Sequence, residues 1–255
     1  MAKWTRWWKS SSRAHPPAAS YDGRMDVAAL VAQNLREVCE RIAAAAMRSG
    51  RRPEEVTLVG VTKYVDHNVA QALYDAGCHD LGESRPQSLW SKAAAIPAAR
   101  WHLIGHLQRN KVRRTLPLVA LVQSLDSLAL AQAVSDEAES LGRRLPVLLE
   151  VKIAGDPTKH GFAPTDLPAA LEKIARLPGL EVRGLMTMAS LEGGGDAARR
   201  DFAALRELRD EQLSCCPPGA SLAELSMGMS GDFEIAVEEG ATMVRVGSAL
   251  FEGLA

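Results

Sequence analysis

No stretch of this 255-residue sequence approaches the ~18 consecutive apolar residues that a bilayer-crossing helix needs, which excludes such a span. The opening "MAKWTRWWKSSSRAHPPAASYDG" also lacks the apolar core of a secretory signal. It has four basic residues and three Trp before its first acid, Asp22, a pattern shared by transit segments and interfacial anchors. The Ser, Pro and Ala content of residues 10–20 points instead to a disordered extension over 1–24, or to an upstream start with Met25 as the natural beginning. Excess charge of either sign is missing. Lys and Arg number 30 against 31 Asp and Glu, so no global field favours nucleic acid or an anionic membrane, and a small ligand is the better expectation. Cysteine is sparse, at Cys39, Cys78, Cys215 and Cys216, with no C-x-x-C spacing. The adjacent pair sits too close for an ordinary bridge, and a reducing, cytoplasmic setting follows. The sequence has no 20- to 50-residue repeat and no interdomain linker. With 47% hydrophobic residues, positions 25–255 fit one domain about the size of a single α/β barrel.

What is present alternates. Over residues 26–47, Val27, Leu30, Val31, Leu35, Val38, Ile42 and Ala46 recur at three- and four-residue steps, which predicts a long amphipathic helix. Short β-branched runs then alternate with helical patterns. Strands are expected at 57–62, 79–82, 101–105, 118–124, 147–153, 181–186, 222–226 and 243–246, with early helices at 68–76 and 87–95. Eight strand–helix units imply a (β/α)8 TIM barrel carrying an extra N-terminal helix, and an open doubly wound sheet is the alternative.

In a barrel, reactive groups gather where strands end at the C-terminal face. The first strand runs through "LVGVTKYVDH" to Lys63, the second to Glu83 and Ser84, the third to His106, the fourth to Asp126. The seventh enters "SMGMSGD" (226–232), with Ser226, Gly228, Met229 and Ser230. The eighth enters "VRVGSA", with Arg245, Gly247 and Ser248. Small residues feeding helix starts in the last two loops predict an anion site for a phosphorylated ligand. A lysine desolvated at that mouth can lose its proton and condense with an aldehyde. Pyridoxal phosphate (PLP) combines an aldehyde with a phosphate. The competing readings are a lysine that reaches out to solvent, or one that only pairs with a phosphate.

The motifs "VGVTKY", "LGESRPQ", "WHLIGHLQRNK", "TKHGF", "RGLMTM" and "LSMGMSGDFEIAVEEGATMVRVGSALF", in this order over residues 26–253, resemble the pyridoxal phosphate homeostasis protein family. The resemblance implies the barrel of the alanine racemase N-terminal domain, and covalent PLP binding for buffering and delivery without established turnover. It makes Lys63 the Schiff-base lysine. Ser226, Gly228, Met229, Ser230, Gly247 and Ser248 would surround the phosphate, and Arg245 would face the pyridine nitrogen. A guanidinium there keeps that nitrogen unprotonated, so the ring is a weak electron sink. Lys159 would touch a second PLP. The family pattern has Asn where this chain has Ser84 and Lys152, which weakens an amide contact at Ser84. It also raises the prospect of like-charge pressure on Lys63 if Lys152 points inward. The implied partners are PLP and PLP-dependent apoenzymes, with the chain a monomer or weak homodimer.

Two other functions fit the residues less well. An amino acid racemase of this fold needs a second acid/base from an extra domain, and a chain ending in "LFEGLA" is expected to leave no room for one. A sugar-phosphate aldolase or isomerase using Lys63 predicts no bound chromophore. His102 and His106 share a four-residue spacing, but they lie in a strand-like run with no carboxylate or Cys cluster beside them in sequence, so no metal is expected. "RNKVRR" (109–114) reads as a solvated helix face rather than an RNA contact, and Gly193 to Gly195 lack the Lys and Ser/Thr of a phosphate loop.

Overall fold

The structure is a computed structural model that describes residues 26–153, 160–190 and 193–254. The expected extension over 1–24 lies outside these residues, as does Lys159. Eight parallel strands close into a barrel in sequence order, β1 (Thr57–Val61), β2 (Asp80–Glu83), β3 (Arg100–Leu103), β4 (Leu121–Leu125), β5 (Leu145–Glu150), β6 (Leu180–Met186), β7 (Ala220–Ser226) and β8 (Met243–Val246). Closure is made by β1 against β8, with Val59 opposite Arg245 and Gly60 opposite Val246. The open-sheet alternative is thereby excluded. Two strands depart from their expected bounds by three residues at one end. Pro117 places 116–118 in a one-turn 3-10 segment, so β4 begins at Leu121. The strand predicted to reach 153 ends at Glu150, after which only Val151 pairs, as an isolated bridge to Phe162.

The helices are α1 (Val27–Arg48), α2 (His67–Asp75), α3 (Pro86–Ala95), α4 (Val112–Thr115), α5 (Leu128–Ser140), α6 (Leu167–Ala175), α7 (Gly194–Leu213) and α8 (Phe233–Glu238). Among the described residues, none is long and apolar enough to cross a membrane. Asp26 caps α1 by accepting from the Ala28 and Ala29 N–H groups. Its apolar stripe (Val31, Leu35, Val38, Ile42) is buried, each such side chain contributing about 1.5–3 kcal/mol. Asn34 donates from the same helix to the carbonyls of Leu250 and Glu252, which ties α1 to the segment after β8.

The core has two parts, because successive strand residues point to opposite faces. Outward-facing residues pack beneath the helices in one large cluster. Inside the barrel, Val59, Leu121, Leu148, Met186 and Met243 form a small apolar layer. A polar layer of buried residues adjoins it. Gln123 joins His102 Nδ1 (2.9 Å) to the Ser226 hydroxyl, which donates to Gln123 Oε1 at 2.7 Å, and Arg245 donates to Ser226 Oγ at 2.6 Å.

Candidate functional site

The strand ends at the barrel mouth open into a cleft of about 890 Å³. Of the cofactor-binding residues expected from sequence, Lys63, Ser84, Met229, Ser230, Arg245, Gly247 and Ser248 line it. Tyr64, Ile104, Met188 and Phe251 supply apolar wall that the sequence reading missed.

Lys63 follows Thr62, whose buried carbonyl accepts from Lys92 Nζ at 2.5 Å. The same ammonium reaches Glu83 Oε2 at 2.7 Å, and Glu83 Oε1 accepts from the backbone N–H groups of Ser84 (2.8 Å) and Arg85 (3.4 Å). One buried ion pair therefore clamps the ends of β1 and β2 and sets where Lys63 leaves the barrel. Lys63 itself is exposed, with Nζ 4.8 Å from the ring centre of an exposed Tyr64. The expected desolvation of this amine is corrected accordingly: the chain's own side chains leave it open to water in the cleft. Lys152 does not line the cleft with it.

The wall formed by the segments after β7 and β8, next to the end of β1, is rich in anion donors. Ser230 Oγ accepts from the N–H groups of Gly247 (3.1 Å) and Ala249 (3.4 Å), which leaves its own proton free to donate outward. The N–H groups of Ser230, Gly231 and Ser248 have no acceptor in the chain among the described residues. Three free amides and two hydroxyls on one wall suit a phosphate. Following helices add little, since α8 has six residues and Ser248–Leu250 is a single 3-10 turn.

Two expected phosphate contacts are corrected. Ser226 is fully buried and absent from the cleft wall. Its phase on β7 turns it into the barrel, where its hydroxyl is committed to Gln123 and Arg245. Gly228 is also off the wall. It has φ +91°, and a Cβ there would come within 2.5 Å of Ala236 Cβ, so it shapes the loop rather than touching a ligand.

Arg245 is buried and reaches the cleft, with its guanidinium held by Ser226 Oγ and by the Thr187 carbonyl at 2.8 Å. Burial pushes it down to about 10, opposed by the charges of Glu150 and Asp232, and it remains a cation at neutral pH. Glu150, at the end of β5, is pushed up to about 7 by burial and then by the Asp126 charge, with Arg245 pulling the other way. Burial likewise raises Asp232, which nonetheless shapes the loop by accepting from the Met229 N–H at 2.6 Å.

The two histidines paired by sequence spacing separate in space. His102 is buried on β3 beside Asp80, at 3.2 Å. His106 lies beyond the strand and does have a carboxylate beside it, Asp126, 2.6 Å from Nδ1. In "RNKVRR", Arg114 stacks on Trp90 at 4.0 Å.

Residues 31–254 match the family description of the alanine racemase N-terminal domain. The pyridoxal phosphate homeostasis protein of Aquifex aeolicus is 39% identical over 221 residues, spanning 86% of this chain and 96% of its own length. The solved structure of PipY from Synechococcus elongatus, with PLP bound, is similar at 34% identity and TM-score 0.76, covering 87% of this chain and 99% of PipY. Alanine racemase of Clostridium difficile shares the fold alone, at 17% identity and TM-score 0.69, with 86% of this chain matching 56% of that one. Lys63 at the end of β1, the donor wall after β7 and β8, and this level of identity along nearly the whole barrel agree: the chain belongs to the pyridoxal phosphate homeostasis protein family.

Proposed function

We propose that this chain binds pyridoxal 5'-phosphate covalently through Lys63 and serves as a carrier and buffer of the cofactor. The observation that supports this most is one cleft holding a primary amine together with the free amides of Ser230, Gly231 and Ser248 and the hydroxyls of the two serines. When bound, the cofactor supplies an aldehyde for that amine and a dianionic phosphate for that wall. Each residue then has a distinct task. Lys92 and Glu83 hold the Thr62 backbone so that Lys63 emerges into the cleft. Ser230 braces the Gly247 and Ala249 amides and offers its hydroxyl proton to the phosphate. Ser84 sits where the family pattern has an amide, with fewer donors for the ligand.

Arg245 is oriented by Ser226 and Thr187 and stays cationic. In the ring-facing role that the family resemblance gives it, it donates to the pyridine nitrogen and holds that nitrogen unprotonated. The ring is then a poor electron sink, which favours storage over amino acid turnover. An exposed Lys63 in an open cleft also suits uptake and release. We place the chain in the cytoplasm as a monomer or weak homodimer that hands PLP to PLP-dependent apoenzymes. The free Cys39, Cys78, Cys215 and Cys216 and a net charge of −1 are in keeping with that setting.

The test is spectroscopic and chemical. Purified protein should be yellow, borohydride should fix a pyridoxyl group on the peptide containing Lys63, and Lys63→Ala should lose both signals. Colourless protein that takes up no PLP overturns the reading. Exchange of an amino acid α-hydrogen in deuterated buffer at an enzymatic rate, with inversion, would replace the carrier with a racemase.

A further inference from the structure

We propose that His106, Asp126 and His160 form a divalent transition-metal site on the rim of the barrel, beside the PLP cleft and independent of it. The three residues come from the segments after β3, β4 and β5, and their donor atoms all lie within 4.8 Å of one another. Both imidazoles bring Nδ1 near the same oxygen, Asp126 Oδ2, at 2.6 Å from His106 and 3.9 Å from His160. Metal bonds of 2.0–2.1 Å in a tetrahedral site put neighbouring ligand atoms about 3.3 Å apart, so the observed distances bracket what an ion would impose.

A simple hydrogen-bonded His–Asp pair accounts for His106 and Asp126 but not for His160. The His160 ring lies parallel to that of His106, with centroids 4.1 Å apart and 12° between planes, and its Nδ1 is beyond hydrogen-bond reach of the carboxylate. Two imidazoles stacked over one carboxylate oxygen gain little from each other and repel when both are protonated. A dication placed among the three donors turns that crowding into coordination, taking the place of the proton between His106 and Asp126. Two imidazoles and a carboxylate suit zinc, cobalt, nickel or copper better than magnesium or calcium. The histidine side chains are 42% and 60% exposed, so an aqueous ion can reach them, while the 5% exposed Asp126 gives the site a fixed base. Occupancy would tie His160 to the loops after β3 and β4.

The test uses Co2+ as the probe on the full-length, tag-free chain in a Cys215→Ser/Cys216→Ser background, because adjacent thiols also take this ion. We expect one Co2+ per chain with visible d–d absorption, displaced by Zn2+. Affinity should fall at least about 10-fold in His160→Ala and in Asp126→Asn, and stay unchanged in His79→Ala. His160 is exposed, so His160→Ala decides the matter even where Asp126→Asn folds poorly. No d–d absorption at one equivalent, or full affinity in His160→Ala, overturns the proposal. Because the readout needs no PLP, it stands or falls separately from the Lys63 chemistry.

Discussion

Replacing Lys92 by Met tests how the reactive lysine is positioned. The side chains of Lys92 and Glu83 are 7% and 0% exposed, so Lys92→Met leaves a carboxylate inside the protein with only two backbone N–H groups and the Thr62 hydroxyl near it. Breaking a buried pair from one side costs about 3–5 kcal/mol, against about 0–1 kcal/mol for an exposed pair. For a chain of this size that corresponds to a fall in Tm of about 6–20 °C. Removing both charges in Lys92→Met/Glu83→Gln should recover most of the loss, because neither charge is then stranded. Lys92 also holds the Thr62 carbonyl, so the single variant should bind PLP more weakly even at temperatures where it remains folded. Urea denaturation of the four proteins of the cycle gives the coupling, and PLP titration gives the functional arm. A Lys92→Met loss below about 1 kcal/mol, or additive single variants, would refute the claim that this pair sets the strand ends.

Glu150 carries a pH dependence with a definite sign. Its carboxyl is raised from 4.5 to about 7, so the neutral form is favoured in the folded state. The associated stability is full below the unfolded value and is lost as pH rises through about 7. At about 1.4 kcal/mol per pH unit, Glu150→Gln should gain up to about 3 kcal/mol over the parent at pH 8 and nothing near pH 4, and equal differences at both would contradict this. The two serines of the last loops should separate by ligand. Ser230→Ala should reduce affinity for PLP about 10-fold while leaving phosphate-free pyridoxal nearly unaffected. Ser226→Ala, by loosening Arg245, should weaken both alike, and the opposite pattern would restore Ser226 to the phosphate site.

Much of the barrel is written in local periodicity. The three- and four-residue spacing of α1 and the alternation of short apolar runs with helices require no knowledge of distant residues, and outside β4 and β5 both appear within a residue or two of the expected places. Strand-end chemistry was legible for the same reason: once a barrel is inferred, Lys63, Ser230, Gly247 and Ser248 fall on its mouth by counting. β4 and β5 were misplaced where tertiary context competes with propensity, at Pro117 and at the Val151 bridge. Ser226 was misread although a signal existed. With Leu225 turned to the outer core, the two-residue period sends Ser226 inward.

By itself the sequence determined which segments are strands or helices and which residues stand at strand ends, since those follow from side-chain period and backbone preference along the chain. The tertiary structure alone decided which partners meet: Lys92 with Glu83, Gln123 with Ser226 and Arg245, His106 with Asp126 and His160. Those contacts depend on strand register and on closure of β8 against β1. The physical reason is that a buried polar group must satisfy its hydrogen bonds with whatever the closed barrel brings alongside it, however far away in the chain that partner lies.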